Sequence, residues 1–163
     1  MANTQSMCTS FMSELMYGYH QFGAPTLTSR GSLTAPTNDT FKGALYVTTA
    51  TINAATTAYS ATNEVTGTNY SAGGVTVTNA TAPTFTNTSS TAGTAYWTPS
   101  ASLTYTNVTL TTAFDTVLIY NSTQGNRAVS VHTFGSQTIT AGTFTLTMPS
   151  NTTTTALLRF ATT

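Results

Sequence analysis

Few side chains in this sequence of 163 residues could support acid–base or metal chemistry. Two histidines, His20 and His132, are the groups that titrate near neutral pH with an ordinary pKa. Neither lies at a metal-ligand spacing from cysteine, aspartate or glutamate, so no metal site is predicted. A hydrolase built on Asp115 and His132 is the catalytic alternative, although no nucleophile motif accompanies the pair.

The carboxylates are equally few. Two of them could cleave a glycosidic bond if they faced each other across a sugar, but with so small a set we favour capping, turn and ion-pair roles. The four are Glu14, Asp39, Glu64 and Asp115. The lone Cys8 is interpreted as a small buried apolar group. We therefore predict no catalytic residue and no cofactor, and interpret the chain as a structural or binding protein and not an enzyme.

One aromatic cluster could bind a ligand. Trp97, together with Tyr96 and Tyr105, could form a flat platform for a sugar, because aromatic rings combine an apolar face with a polar handle. Packing of these rings in the core is the interpretation that we favour. A receptor-binding or carbohydrate-binding β-module that uses Trp97 remains an alternative.

The composition indicates the kind of surface that must carry the function. Only 5% of the residues are charged, against about 25% in an ordinary domain, and threonine makes up roughly a quarter of the chain. Threonine favours strands, so the surface should be a neutral β-surface that forms permanent protein contacts at little desolvation cost. The net charge is zero and the cations are scattered, which argues against nucleic-acid binding. No apolar run is long enough for a membrane span, and the N-terminus does not look like a secretion signal.

A single amphipathic helix is predicted over residues 4–22. Its apolar stripe consists of Cys8, Phe11, Met12, Leu15, Met16, Tyr19 and Phe22. Thr4 or Ser6 could cap its start, Gly23 and Pro25 would end it, and Gly18 would weaken its last turns. The stripe should lie either on the chain's own sheet or on a neighbouring subunit. Residues 24–40 are predicted to form a loop or extended arm, because they lack sustained periodicity.

From Phe41 onward the pattern predicts strands. They are expected near 41–52, 75–77, 96–97, 103–108, 117–120, 129–134, 144–148 and 156–160. The run 117–120 is apolar on both faces and should be a covered central strand, and 121–126 should be a hairpin turn. We predict an all-β fold, a single β-sandwich or jelly-roll-like domain over 41–163, preceded by the N-terminal helix and arm over 1–40. Because charge is nearly absent, strand edges should lie against neighbours.

An ordered set of segments carries a family resemblance. They are CTSFMSEL at 8–15 with Gly18, His20 and Phe22 after it, FKGALY at 41–46, TTAYSATNEVTGTNYSAGG at 56–74, LIYNST at 118–123, FG at 134–135 and AGTFTLTMP at 141–149. The set resembles a family of small virion structural proteins encoded by tailed bacteriophages. The segment 56–74 is the most specific part, whereas 24–40 looks like an insertion.

The resemblance implies a virion component with a β-domain and an N-terminal helix, and it transfers no catalytic residue. One implied location is the capsid surface, where a cement or decoration protein would bind the major capsid protein as a homotrimer. The other is the tail, where a collar or fibre-adaptor protein would contact tail or fibre proteins. We prefer the capsid. The residues expected to contact partners are Phe11, Leu15, Tyr19, Phe22 and Trp97.

Overall fold

A computed structural model of the chain describes residues 3–23, 37–78, 82–87 and 92–162. The helix α1 spans Thr9–Met16. The strands are β1 Ser6–Met7, β2 Phe41–Val47, β3 Val75–Thr76, β4 Thr84–Asn87, β5 Gly93–Trp97, β6 Leu103–Asn121, β7 Arg127–Leu146 and β8 Leu158–Ala161. Residues 24–36, most of the predicted arm, lie outside the described ranges.

The described strands form two antiparallel sheets, which confirms the all-β class. The larger sheet has the order β1-β7-β6-β2-β3, and the smaller sheet has the order β4-β5-β8. Strand β6 lies between β7 and β2, so it is a central strand. The four residues of its apolar run Val117–Tyr120 are all buried, so the run is covered on both faces, as predicted. The chain reverses at residues 122–126, where the hairpin turn was expected.

Strands β6 and β7 correct the prediction of several short strands between residues 103 and 148. They form one long hairpin of 19 and 20 residues. The pairing register shifts at several points, and Asn107 and Ala141 adopt left-handed backbone with φ of 52° and 47°. Each irregularity shifts the inward-facing positions along the strand. The sequence pattern therefore looks interrupted although the strand continues.

The irregularities bend the hairpin, and the half far from its turn then folds back over the sheet. This distal half consists of residues 103–110 of β6 and 139–146 of β7. The Tyr105 hydroxyl donates to the carbonyl of Gly43 on β2 at 2.8 Å. A Cβ at Gly43 would come within 2.6 Å of the Leu103 side chain and 3.2 Å of the Tyr105 hydroxyl, so a larger residue would force these side chains to shift. The alternation of half-buried and exposed residues over 143–148 follows from this arrangement, because one face of distal β7 turns inward.

The helix is shorter than predicted, and Gly18 is the reason. Gly18 has φ of 74°, its N–H donates to the Leu15 carbonyl, and the Tyr19 N–H donates to the Glu14 carbonyl. This pair of bonds is the Schellman motif, in which a left-handed glycine ends the helix. Gly18 therefore terminates α1, and the predicted stop at Gly23 is wrong. The start is also later than predicted: Cys8 is the N-cap residue and makes no side-chain capping bond.

An aromatic contact joins the two sheets. The Phe22 ring lies 4.5 Å from Phe41 of β2 and 4.7 Å from Trp97 of β5, measured between ring centroids. All three side chains are buried. Phe22 follows the helix, so the N-terminal segment completes the core between the sheets.

Residues 48–74, which we call the covering segment, pack on the other side of the larger sheet. The covering segment forms isolated bridges to three strands, through the pairs Ala58–Arg127, Tyr46–Glu64 and Thr68–Thr109. The Tyr59 ring stacks on Tyr120 at 4.6 Å between centroids. The segment therefore crosses from the β7 edge to the β2 edge, and its position is fixed by contacts across the whole sheet.

Candidate functional site

The five predicted contact residues do not form one exposed surface. Phe11, Phe22 and Trp97 are buried within the chain itself, and Leu15 is half-buried against the same core. Of the five, Tyr19 alone is exposed, at 42%. Burial of Phe11, Phe22 and Trp97 corrects their assignment as contact residues, because their apolar surface already packs against the chain's own sheets. It also places part of the helix stripe on the chain's own core, whereas Met12 and Met16 of the same stripe are exposed.

Three of the carboxylates form hydrogen bonds that hold the N-terminal segment in place. Asp115 accepts a hydrogen bond from the Asn3 amide at 2.7 Å, and Glu14 accepts one from the Arg127 guanidinium at 2.7 Å. Asp39 accepts one from the backbone N–H of Gln21 at 2.8 Å. Three of the four carboxylates therefore connect residues 3–21 to the larger sheet or to the segment that leads into β2. These contacts agree with the structural roles favoured for them.

His20 lies at the centre of a buried polar network and has both ring nitrogens engaged. Its Nε2 lies 2.8 Å from Glu14 Oε2, and its Nδ1 lies 3.1 Å from the Asn121 amide nitrogen. The Asn121 carbonyl accepts from the N–H groups of Thr123 and Gln124, so its NH₂ group must face the ring. Nδ1 is then an acceptor, and Nε2–H donates to Glu14. Burial lowers the pKa of His20, which outweighs the attraction of the Glu14 carboxylate and favours this neutral ring.

The residues of the hydrolase alternative are engaged in separate contacts. Asp115 accepts from Asn3 and Thr116, whereas His132 contacts the Ser130 hydroxyl at 2.9 Å. Ser130 is buried, so a substrate could not reach its hydroxyl. Within the described ranges, no group of three or more histidine, cysteine, aspartate or glutamate side chains could hold a metal ion. Burial raises the pKa of the Cys8 thiol to about 12, so the thiolate form is suppressed.

Because the pKa values of both histidines are lowered, we expect the protein to lose stability in mild acid. Burial lowers the pKa of His132 from 6.5 to about 4, so at pH 7.5 the ring is mostly neutral in both the folded and the unfolded chain. As the pH falls below 6.5, His132 becomes protonated in the unfolded chain but stays neutral in the folded chain. The free energy of unfolding should therefore fall by about 2 kcal/mol between pH 7.5 and pH 5, and His20 should add to the loss. Urea denaturation at the two pH values measures this change.

The variant His132→Gln is the control for the pH prediction, because glutamine is neutral and does not titrate. The variant should lose less stability between the two pH values than the natural chain loses. Equal losses in both proteins would contradict the assignment to His132.

A long stretch of β7 has an open edge. The first residues of β7 are covered: Ala128 and Val129 bond to Thr57 and Cys8, and β1 pairs with Ser130 and Val131. From residue 133 to residue 146, no described strand pairs with this side of β7. This stretch, the open edge of β7, contains no lysine, arginine, aspartate, glutamate or proline. Such an edge presents unpaired backbone groups without the charges that normally prevent strand addition.

The smaller sheet adds an exposed apolar row. Phe85 of β4, Ala95 of β5 and Phe160 of β8 are paired across the sheet and share one face. Phe85 is 69% exposed and Phe160 is 40% exposed. The row continues an apolar cavity of about 100 Å³ between α1 and the sheet, whose lining includes Leu15 and Trp97. Apolar residues grouped in this way are typical of a surface that contacts protein.

Neither surface was predicted from the sequence at the level of residues. The open edge of β7 depends on which strand pairs with which, and the sequence pattern does not contain that information. The threonine-rich alternation over residues 143–148 was the available signal, together with the lack of charge from 133 to 146. Phe85 and Phe160 lie in short strands, and β4 was not predicted.

Comparison with known proteins adds no relative. No protein-family model, no curated protein and no solved structure matches this chain. No helix in the described ranges is both long and apolar enough to cross a membrane.

Proposed function

We propose that the chain is a structural protein of a tailed-bacteriophage virion, a capsid cement or decoration protein that binds the major capsid protein and identical copies as a homotrimer. The open edge of β7 is the single observation that carries this proposal. A neutral edge of 14 residues is a hazard for a freely dissolved monomer but suits a protein that is permanently covered by neighbours. The resemblance of residues 8–15, 41–46 and 56–74 to small phage virion proteins supports the same function.

The rest of the surface supports a neutral interface. Only eight residues of the chain are charged, and all four carboxylates accept hydrogen bonds inside the fold. Three of these carboxylates hold the N-terminal segment, and the fourth, Glu64, accepts from residues 59–73. Contacts with neighbours would therefore come from apolar burial at the Phe85–Phe160 row and from backbone and threonine hydrogen bonds at the open edge of β7. The sandwich-like packing of the two sheets and an extended arm over residues 24–40 belong to this proposal.

A tail, collar or fibre-adaptor role is the second candidate, since the same edge would also close a ring of identical subunits. The Trp97 platform is not retained, because that side chain is 2% exposed and packs against Phe22. Immunogold labelling of purified phage particles, with antibodies raised against this chain, separates the two locations. Label over the whole shell supports a cement protein, label at one vertex or on the tail supports the second candidate, and unlabelled particles contradict both.

A lysine in the open edge of β7 should strongly reduce incorporation into particles. We expect the Thr138→Lys variant to show at least a tenfold lower amount bound to purified particles, because the added charge would have to be buried at a strand pair. The matched control is Thr66→Lys, which adds the same charge at an exposed position of the covering segment. Co-sedimentation of each variant with particles that lack the natural chain gives the bound fraction.

Binding of the natural chain should also be insensitive to salt. Raising the ionic strength from about 0.05 M to about 1 M screens charge and leaves apolar and backbone contacts in place. Release of the protein at high salt, or equal binding of the Thr138→Lys variant, would contradict the neutral-edge interface.

A further inference from the structure

A polar cavity lies away from the open edge of β7, at the junction of α1, the covering segment and the β6–β7 turn. It is an open cavity of about 660 Å³, within the range of about 300–1,000 Å³ that is usual for small-molecule sites. We call it the Arg127 pocket. Its lining includes Ser10, Tyr19, Thr57, Ala58, Gln124 and Arg127.

The charge of the Arg127 pocket is balanced within the protein. The Arg127 guanidinium lies 2.7 Å from Glu14 Oε1, and Glu14 also lines the cavity. A carboxylate or phosphate ligand would have to approach this buried carboxylate, and a cationic ligand would have to approach the guanidinium. Both cost electrostatic free energy, so the pocket suits a ligand without net charge.

Several hydrogen-bonding groups in the pocket are not used within the described part of the chain. Gln124 donates its amide N–H to Asp39, which leaves its carbonyl oxygen as an acceptor. Arg127 uses one of its five N–H donors on Glu14. The pocket therefore offers both an acceptor and donors, and a sugar hydroxyl can use either kind of group.

An aromatic ring borders the same cavity. The Arg127 guanidinium carbon lies over one face of the Tyr19 ring, 4.5 Å from its centroid, which leaves the rest of the ring for a ligand. Tyr19 remains 42% exposed, and its ring contacts that of Tyr17 at 5.9 Å between centroids. Exposed rings of this kind can pack against the C–H face of a sugar while the neighbouring polar groups bind its hydroxyls.

We propose that the Arg127 pocket binds an uncharged saccharide, with Tyr19 as the stacking surface and Arg127 and Gln124 as hydrogen-bonding partners. The pocket is separate from the open edge of β7. It would therefore remain available for a saccharide while that edge holds the chain in a larger assembly. It replaces Trp97 as the carbohydrate-binding position, because Trp97 is buried and the Tyr19 ring is accessible.

The test is a glycan array followed by titration of the hits into the full chain, with a variant that fills the pocket. Ala58→Trp places a large side chain in the cavity from an exposed position, and it removes no member of the Glu14–His20 network. Ala55→Trp is the matched control, since Ala55 is exposed in the same segment but does not line the pocket. We expect uncharged glycans to bind with dissociation constants of about 1 mM or below. Ala58→Trp should weaken this binding at least tenfold, and Ala55→Trp should leave it unchanged.

A second variant protects the test against misfolding of the first. Gln124→Ala removes one hydrogen-bonding group and should weaken the same glycans several-fold, while thermal unfolding verifies that each variant is folded. Three results would overturn the proposal: no uncharged glycan bound at about 10 mM, binding restricted to sialylated or sulfated glycans, or binding that Ala58→Trp leaves intact.

Discussion

Replacing Phe22 with alanine is expected to lower the free energy of unfolding by about 3–5 kcal/mol, which approaches the whole stability of a small domain. The Phe22 ring fills the space between Phe41 and Trp97, so its removal leaves a cavity at the junction of the two sheets. The backbone around it is held by the bond from Gln21 N–H to Asp39, which restricts collapse of the cavity. Urea denaturation followed by tryptophan fluorescence measures the loss, because Trp97 is the chain's single tryptophan and contacts Phe22.

Met16→Ala is the control for this prediction. Met16 belongs to the same predicted apolar stripe, but it is 89% exposed and should cost no more than about 0.5 kcal/mol. If Phe22→Ala were as stable as Met16→Ala, and yet failed to associate with particles, Phe22 would be a contact residue as the sequence first indicated. Loss of stability in the isolated chain instead assigns Phe22 to the core.

The contrast between Phe22 and Met16 shows what the sequence could predict about the N-terminal segment. Periodicity identified one apolar stripe and could not divide it into buried and exposed halves, because that division depends on where α1 ends. Gly18 ends the helix two turns after it begins, and the chain then turns so that His20 and Phe22 point into the core. A glycine inside an amphipathic pattern can either weaken a helix or terminate it, and only the left-handed φ of Gly18 distinguishes the two.

The strands also show what the sequence pattern can and cannot predict. Val117–Tyr120 was recognised as central because an apolar run on both faces has no other use in a sheet. The continuity of β6 and β7 was missed because backbone irregularities such as those at Asn107 and Ala141 change which positions face inward. The open edge of β7 is a property of the strand order, so composition could indicate a neutral edge but could not locate it. The polar network around His20 joins residues more than 100 positions apart and had no local signal.

Glu64 is the centre of the covering segment, within the part of the chain on which the family resemblance is most specific. Its carboxylate is buried and accepts three hydrogen bonds, from the Tyr59 hydroxyl at 2.6 Å, the Tyr70 hydroxyl at 2.7 Å and the Gly73 N–H at 2.8 Å. Burial, together with the nearby carboxylate, raises the pKa of both tyrosines, so their hydroxyls stay protonated and donate. The segment contributes no regular strand of its own between residues 48 and 74, so these bonds replace a sheet ladder in holding it.

Replacing Glu64 with alanine should therefore lower the free energy of unfolding by about 3–5 kcal/mol, because it leaves three donors without an acceptor and opens a cavity. Glu64→Gln keeps the shape and one acceptor oxygen, and it should cost about 1–2 kcal/mol. Urea denaturation gives both values, and hydrogen exchange of the amides from 57 to 73 shows whether the segment is released before the sheet unfolds. We expect early release in Glu64→Ala, because the β2–β6–β7 ladder does not depend on this carboxylate. Equal protection of these amides in Glu64→Ala and the natural chain would mean that the isolated bridges and the Tyr59–Tyr120 stack hold the segment without Glu64.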